Sequence, residues 1–178
     1  MSILIIDIGS SSARALLFDE TGCAIDGAHS AHAHRPQAPQ EGAAVFAPIA
    51  LRQAVEGCID VVLQHPASDN ITAVGITTFA GNLLALDSHD QPLTPLWTYA
   101  DTRATSDAAK LAQQLDEAAA HQRTGCPFHA AYAPAQILAI RRLTPDAAAR
   151  AVLWCDFATY LYRCWLGDAP MSRSLASW

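Results

Sequence analysis

Near the start of the chain an aspartate, a glycine, three serines and an arginine fall in one short run, Asp7-Ile8-Gly9-Ser10-Ser11-Ser12-Ala13-Arg14. A turn of glycine and small hydroxyl residues lets a phosphate approach backbone N–H groups, and the hydroxyls add donors. A carboxylate at the edge of such a turn could hold Mg²⁺ beside those phosphates, usually through water. An arginine just past the turn could neutralise phosphoryl charge. Acid, small-residue cradle and arginine are what phosphoryl transfer needs on its nucleotide side. An ordinary hairpin with a strand-end aspartate would use the same residues, and both readings stay open at this point.

The elements that must position this run can be read around it. Ile3-Leu4-Ile5-Ile6 is an apolar strand that ends at Asp7, and a carboxylate there must be satisfied to offset its desolvation. ARALLFD returns as a second strand, and a third begins after Glu20-Thr21-Gly22, so residues 2–34 form an antiparallel meander. The polar link RPQAPQEG is irregular. Pro48 then starts an amphipathic helix with Leu51, Val55, Cys58 and Val62 at helical spacing. ITAVGITTF reads as a buried strand and NLLALD as the next one. The alanine-rich stretch from Asp107 to Gln122 predicts one helix, stopped by Gly125. Thr144-Pro145-Asp146 opens another, with Thr144 as cap. In DFATYLYRCWLG, Asp156 caps, Phe157, Leu161 and Cys164 share a stripe, and Gly167 ends the helix. The order predicts an α/β domain with a mixed sheet.

Composition bounds the function. The 178 residues suit one sizeable domain or one lobe of something larger, and half of them are apolar, as a packed core requires. A net charge of −6 with scattered Lys and Arg argues against nucleic acid as a partner. Five cysteines without Cys-x-x-Cys spacing argue against a disulfide framework or zinc site and for a reducing compartment. Met1-Ser2 runs straight into apolar residues without a basic leader, and no apolar stretch is long enough to span a bilayer. The expectation is a cytoplasmic protein with no membrane partner.

At this point the sequence resembles a known family. DIGSSSARALLFD resembles the N-terminal phosphate-binding motif of the FGGY carbohydrate kinases. GITTFAGNLLALD is similar to that family's second strand pair, and PLTPLWTYADTRA to its W-x-D-x-R segment. TGCPFHAAYAPAQILAIRR resembles the Thr-Gly-Cys-Pro-x-His segment of gluconokinase-like members, and SRSLASW the S-x-A-S motif that precedes Thr-Gly. Each motif alone is weak, but the five occur in order and cover nearly the whole chain.

The resemblance implies a ribonuclease-H-like lobe of the actin and hexokinase type, spanning residues 1–178, with a mixed sheet flanked by helices. It implies ATP-dependent phosphorylation of a sugar or sugar acid, with ATP and Mg²⁺ as cofactors and gluconate-like substrates favoured. Asp7 would orient Mg²⁺, and Gly9, Ser10, Ser11, Ser12 and Arg14 would face the ATP phosphates. Phe79, Ala80 and Gly81 stand where relatives present side chains to the sugar. Tyr99, Asp101 and Arg103 match the W-x-D-x-R segment with Tyr in place of Trp, and His129 and Tyr132 fall near the substrate pocket. Glycerol kinases carry Arg-Glu where this chain has Ala80-Gly81, xylulokinases Met-His, and gluconokinase-like members often Trp-His. None of these pairs is present, so the substrate stays open. The general base and the adenosine-clasping lobe are expected beyond Trp178. The 178-residue chain alone is therefore expected to be inactive, and the full-length enzyme could form a homodimer.

Several of these residues also have plainer readings. His29, His32 and His34 could converge on a metal only if the strand bends, because His32 and His34 share a face and His29 points away; a solvated strand end is the simpler expectation. Asp101 and Arg103 share strand parity and could pair with each other, and Tyr132 could be a core aromatic where a helix begins. A non-catalytic actin-like or chaperone-like nucleotide-binding domain is the alternative function, since fold alone does not decide activity.

Overall fold

The computed structural model describes residues 1–169. The chain divides into two compact units, one formed by Met1–Pro36 and Ile49–Phe79, the other by Gln37–Pro48 and the chain from Ala80 onward.

The first unit is built on the expected meander. Strands β1 (Ser2–Ile8), β2 (Ser12–Asp19) and β3 (Ala24–Ala33) pair antiparallel in succession, and β5 (Ile71–Thr78) joins β1 in parallel. The sheet order is β3-β2-β1-β5, which is mixed, as predicted. Alternation sets its core face: Leu4, Ile6 and Ile8 on β1 and Ala13, Ala15 and Leu17 on β2 are buried. Helix α1 (Pro48–Val62) supplies Leu51, Val55, Cys58 and Val62 to the core, and the Cys58 Sγ lies 3.6 Å from the Ala13 carbonyl oxygen. Small residues at 13 and 15 leave room for a helix close to the strand. ITAVGITTF does form a strand, but not the buried one expected: β5 is the edge of the sheet, none of its residues is buried, and Val74, registered with Leu4, is 60% exposed.

The second unit holds two short ladders, β4 (Val45–Phe46) with β7 (Leu96–Trp97) and β6 (Leu84–Leu86) with β8 (Leu153–Cys155). Its helices are α2 (Thr105–Gln114), α3 (Glu117–Thr124), α4 (Ala133–Leu143), α5 (Pro145–Arg150) and α6 (Phe157–Leu166). Val45, Leu83, Trp97, Ala104, Ala135, Ala139 and Ile140 form one buried cluster.

Three further expectations need correction. The single helix over Asp107–Gln122 is two, because Leu115 turns extended and Asp116 caps a new start by accepting the Ala119 N–H at 2.9 Å. NLLALD does follow as a strand, but β6 pairs with β8 and β5 with β1, so the two do not form a pair. Thr144 begins α5 without a side-chain cap, since its hydroxyl donates back to the Ile140 carbonyl at 3.0 Å. The other signals hold: Asp156 caps α6 by accepting the Thr159 N–H at 2.7 Å, and Gly125 and Gly167 close α3 and α6 in the left-handed conformation.

Candidate functional site

In the first unit the hairpin β1–β2 places Asp7 and Arg14 directly opposite each other in register, with the tip between them. An Arg14 Nη2 lies 2.5 Å from an Asp7 carboxylate oxygen, and both side chains keep solvent access, 52% for Arg14 and 31% for Asp7. The strand-end carboxylate is thus satisfied by a partner that solvent can still reach. At the tip the Gly9 N–H donates to the Ser12 carbonyl at 2.8 Å. The end of β3 reaches the same place, where His34 meets the carbonyls of Gly9 and Ser11 through its ring and its backbone. His29 and His32 are exposed, as expected of a solvated strand end, but His34 is half-buried and engaged. Among the described residues there is no cluster of three or more His, Cys, Asp or Glu that could enclose a metal ion. A cation here would therefore rest on Asp7, water and the phosphates. A hydrated Mg²⁺ tolerates that donor set, because it keeps most of its waters. Phe79 ends this unit, its N–H donating to the Ile8 carbonyl at 2.9 Å as an extension of the β1–β5 ladder.

Phe79 is thus a sugar-side candidate of the first unit, and the others, from Ala80 onward, lie in the second. Gly81 has φ +67°, and a β-carbon there would stand 2.9 Å from that of Tyr99, so the Ala80-Gly81 turn and the Tyr99 segment meet directly. Tyr99 itself is half-exposed. Asp101 is not open to solvent: one carboxylate oxygen accepts the Ala44 N–H at 3.0 Å, and the Arg103 guanidinium closes on both oxygens, with Nη2 at 2.6 Å. The Arg103 guanidinium carbon also sits 3.8 Å from the centre of a Trp97 ring, a cation–π contact. Thr98 donates its hydroxyl to the Ala44 carbonyl at 2.8 Å, while its own carbonyl accepts from the Asp101 N–H and from Gln136 Nε2, each at 3.1 Å. Asp101 and Arg103 therefore hold the loop that presents Tyr99, and each is largely used up by the other.

His129 and Tyr132 come together, their rings 5.7 Å apart and tilted. The Ala131 N–H donates to His129 Nδ1 at 3.1 Å, which leaves Nε2 as the protonated nitrogen of the neutral ring. Both line a cavity of about 270 Å³ whose other walls include Leu111, Leu115, Arg123 and Phe128. On α2 Asp107 is buried, and its carboxyl is held below the ordinary range by hydrogen bonding from Arg142, against the opposing effect of burial. Cys155 is buried and its thiol is pushed up to about 12 by desolvation, with the Asp156 charge adding to it.

Sequence reasoning missed Ala44, Thr98 and Gln136, and it left His34 at a solvated strand end where the structure engages it at the hairpin tip. Only His34 carried a usable signal, since the register of a meander brings the end of its third strand beside the first hairpin tip. Ser172 to Trp178, the S-x-A-S segment, lies outside the described residues.

Among the described residues no helix is long and apolar enough to cross a membrane. Comparison with known proteins gives a consistent result. Residues 2–177 match the N-terminal domain of the FGGY family of carbohydrate kinases. The chain is 28% identical over 173 residues to a gluconokinase of Bacillus subtilis, covering 97% of this chain and 33% of that protein. It is 27% identical over 165 residues to an apulose kinase of Pectobacterium atrosepticum, covering 92% of this chain and again 33% of the other. The chain thus spans about a third of the length of the curated relatives it matches. Its fold superposes on a gluconate kinase of Lactobacillus acidophilus with a TM-score of 0.89 at 21% identity, over 99% of this chain and 35% of that one. A xylulose kinase of Rhodospirillum rubrum gives 0.93 at 18% identity, over 99% and 36%.

Proposed function

The chain belongs to the FGGY family of carbohydrate kinases, and from that membership we propose that it is the N-terminal lobe of an enzyme that transfers a phosphoryl group from ATP to a hydroxyl of a sugar or sugar acid. The observation that carries this reading is the pairing of Asp7 with Arg14 across a hairpin whose tip is Gly9–Ser12. When bound, Mg²⁺ would neutralise phosphate charge and orient the terminal phosphoryl group. Asp7 would hold that ion through its water shell, and the small residues of the tip would let phosphate oxygens approach backbone N–H groups. Arg14 can exchange its contact with Asp7 for one with phosphate, because the pair is solvent-accessible and its net worth is small. On the sugar side, Tyr99 and the Ala80-Gly81 turn form one wall, and His129 with Tyr132 offers an N–H donor beside an aromatic face. Asp101 and Arg103 act there by holding Tyr99 in place.

Gluconate is the first substrate to test, supported by the names of the curated relatives and by the TGCPFH segment; the apulose kinase keeps neutral sugars in the panel. We assign the base that accepts the hydroxyl proton and the lobe that clasps adenosine to the part of the full-length protein that follows this lobe. We assign the full-length enzyme to the cytoplasm, where ATP is available, and a homodimer is compatible with this assignment. A coupled ADP-release assay over a sugar and sugar-acid panel tests the reading on the full-length protein and on the 178-residue chain. We expect turnover only from the former. Asp7→Asn should lower kcat about a hundredfold with little change in KM for the sugar, because the damage falls on metal and phosphate geometry. Robust turnover by the 178-residue chain, or an Asp7→Asn enzyme with unchanged rate, would overturn these roles.

A further inference from the structure

We propose that His34 is a positioning residue that holds the phosphate-binding turn open; the inference rests on the reading of Gly9–Ser12 as a phosphate cradle. The two hairpin strands run in register up to Ile8 opposite Ala13. Beyond that pair the Gly9 N–H donates to the Ser12 carbonyl at 2.8 Å. A closed two-residue hairpin would add the return bond, from the Ser12 N–H to the Gly9 carbonyl. Among the described residues that bond is not made. The Gly9 carbonyl instead meets His34 Nε2 at 2.8 Å. A carbonyl oxygen only accepts, so Nε2 carries the proton in this contact.

His34 also grips a second carbonyl of the same turn. Its backbone N–H donates to the Ser11 oxygen at 2.9 Å. Peptide groups are planar and trans, so fixing a carbonyl in one direction sends the next N–H in the opposite one. Pinning the Gly9 oxygen therefore aims the Ser10 N–H away from His34, and pinning the Ser11 oxygen does the same for the Ser12 N–H. Both amides are thereby turned away from His34. Without the ring, the Gly9 carbonyl could swing back to close on the Ser12 N–H. That closure would consume one donor and leave less of the backbone for phosphate oxygens. The register that delivers His34 is set by Ser12 pairing with Ala33 at the end of β3.

The test is steady-state kinetics of the full-length enzyme with Mg²⁺-ATP varied at saturating gluconate, and the reverse, for His34→Ala, His34→Phe, His34→Gln and Arg14→Ala. Each variant is assayed below its own melting transition. His34→Ala and His34→Phe should lose about tenfold in kcat/KM for ATP, the scale of one hydrogen bond, with KM for the sugar unchanged. His34→Gln, whose amide can donate to the same carbonyl, should stay within about threefold of the parent. A merely structural role would not split ATP from sugar, nor be rescued by glutamine. Unchanged ATP kinetics in His34→Phe beside a weakened Arg14→Ala would overturn the brace and leave the cradle standing. Unchanged ATP kinetics in both would overturn the cradle and the brace with it.

Discussion

Gly81 and Tyr99 share one space: a β-carbon on residue 81 would lie 2.9 Å from the β-carbon of Tyr99, and the backbone at 81 is left-handed, with φ +67°. Gly81→Ala must strain the turn and push Tyr99 aside. We expect a loss of about 1–3 kcal/mol in urea unfolding, and in the full-length enzyme a rise in KM for the sugar without a matching rise for ATP. Equal stability in Gly81→Ala would show that the two segments yield to each other at little cost.

Asp101 gives a sharper contrast between two roles. Its side chain is 0% exposed and is matched by the Arg103 guanidinium and the Ala44 N–H. Asp101→Ala leaves a half-buried cation unpaired, and such truncations cost about 3–5 kcal/mol. Arg103→Lys should recover only part of the stability, because an ammonium cannot reproduce the two-pronged contact. A melting temperature unchanged in Asp101→Ala would assign the carboxylate to substrate alone.

The Asp107–Arg142 pair should be visible in acid. The folded-state pKa of Asp107 is depressed, first by the hydrogen bond from Arg142. Its stabilisation is therefore full above the ordinary carboxylate pKa and is lost as pH falls through the lower, folded value. Urea unfolding of the native chain should weaken below about pH 4, and Arg142→Leu should flatten that limb while costing about 1–3 kcal/mol at neutral pH. Asp19 and Asp87, which accept hydrogen bonds within their turns, are shifted the same way, so the slope shrinks without vanishing.

Thiol labelling at pH 8 should separate the cysteines. Cys23 is exposed, whereas Cys58 and Cys155 are buried, and the Cys155 thiol is pushed up to about 12 by desolvation. A disulfide reagent should modify Cys23 quickly and reach Cys58 and Cys155 only in denaturant. Rapid native-state labelling of Cys155 would contradict its buried position.

What the sequence made legible was local. The β1–β2 hairpin followed from apolar, turn, apolar spacing, and α6 from an aspartate cap and a closing glycine. The alanine-rich stretch misled because every residue in it favours helix, so the break at Leu115-Asp116 left only the weak mark of a capping aspartate. Pairing of β6 with β8 was hidden because the partners stand far apart in the chain. The same distance concealed the contact of Asp101 with Ala44, and with it the distinction between a residue that touches substrate and one that holds the loop. The resemblance pointed to the segments proposed for the sugar side, but which side chains each would spend on its neighbours is a matter of packing.

The route of the chain through the two units has a consequence for how the protein is made. Gln37–Pro48 belongs to the second unit yet is synthesised before α1 and β5, which complete the first. Val45 finds its partner Trp97 only about fifty residues later. As the nascent chain emerges, the meander can pair at once and β5 can dock when Phe79 clears the exit. The intervening segment must then wait as an unmatched loop, with Val45 and Phe46 exposed, until Leu96–Trp97 arrives. Slow translation between residues 80 and 97 would prolong that exposure, making this interval the one in which a chaperone would matter most.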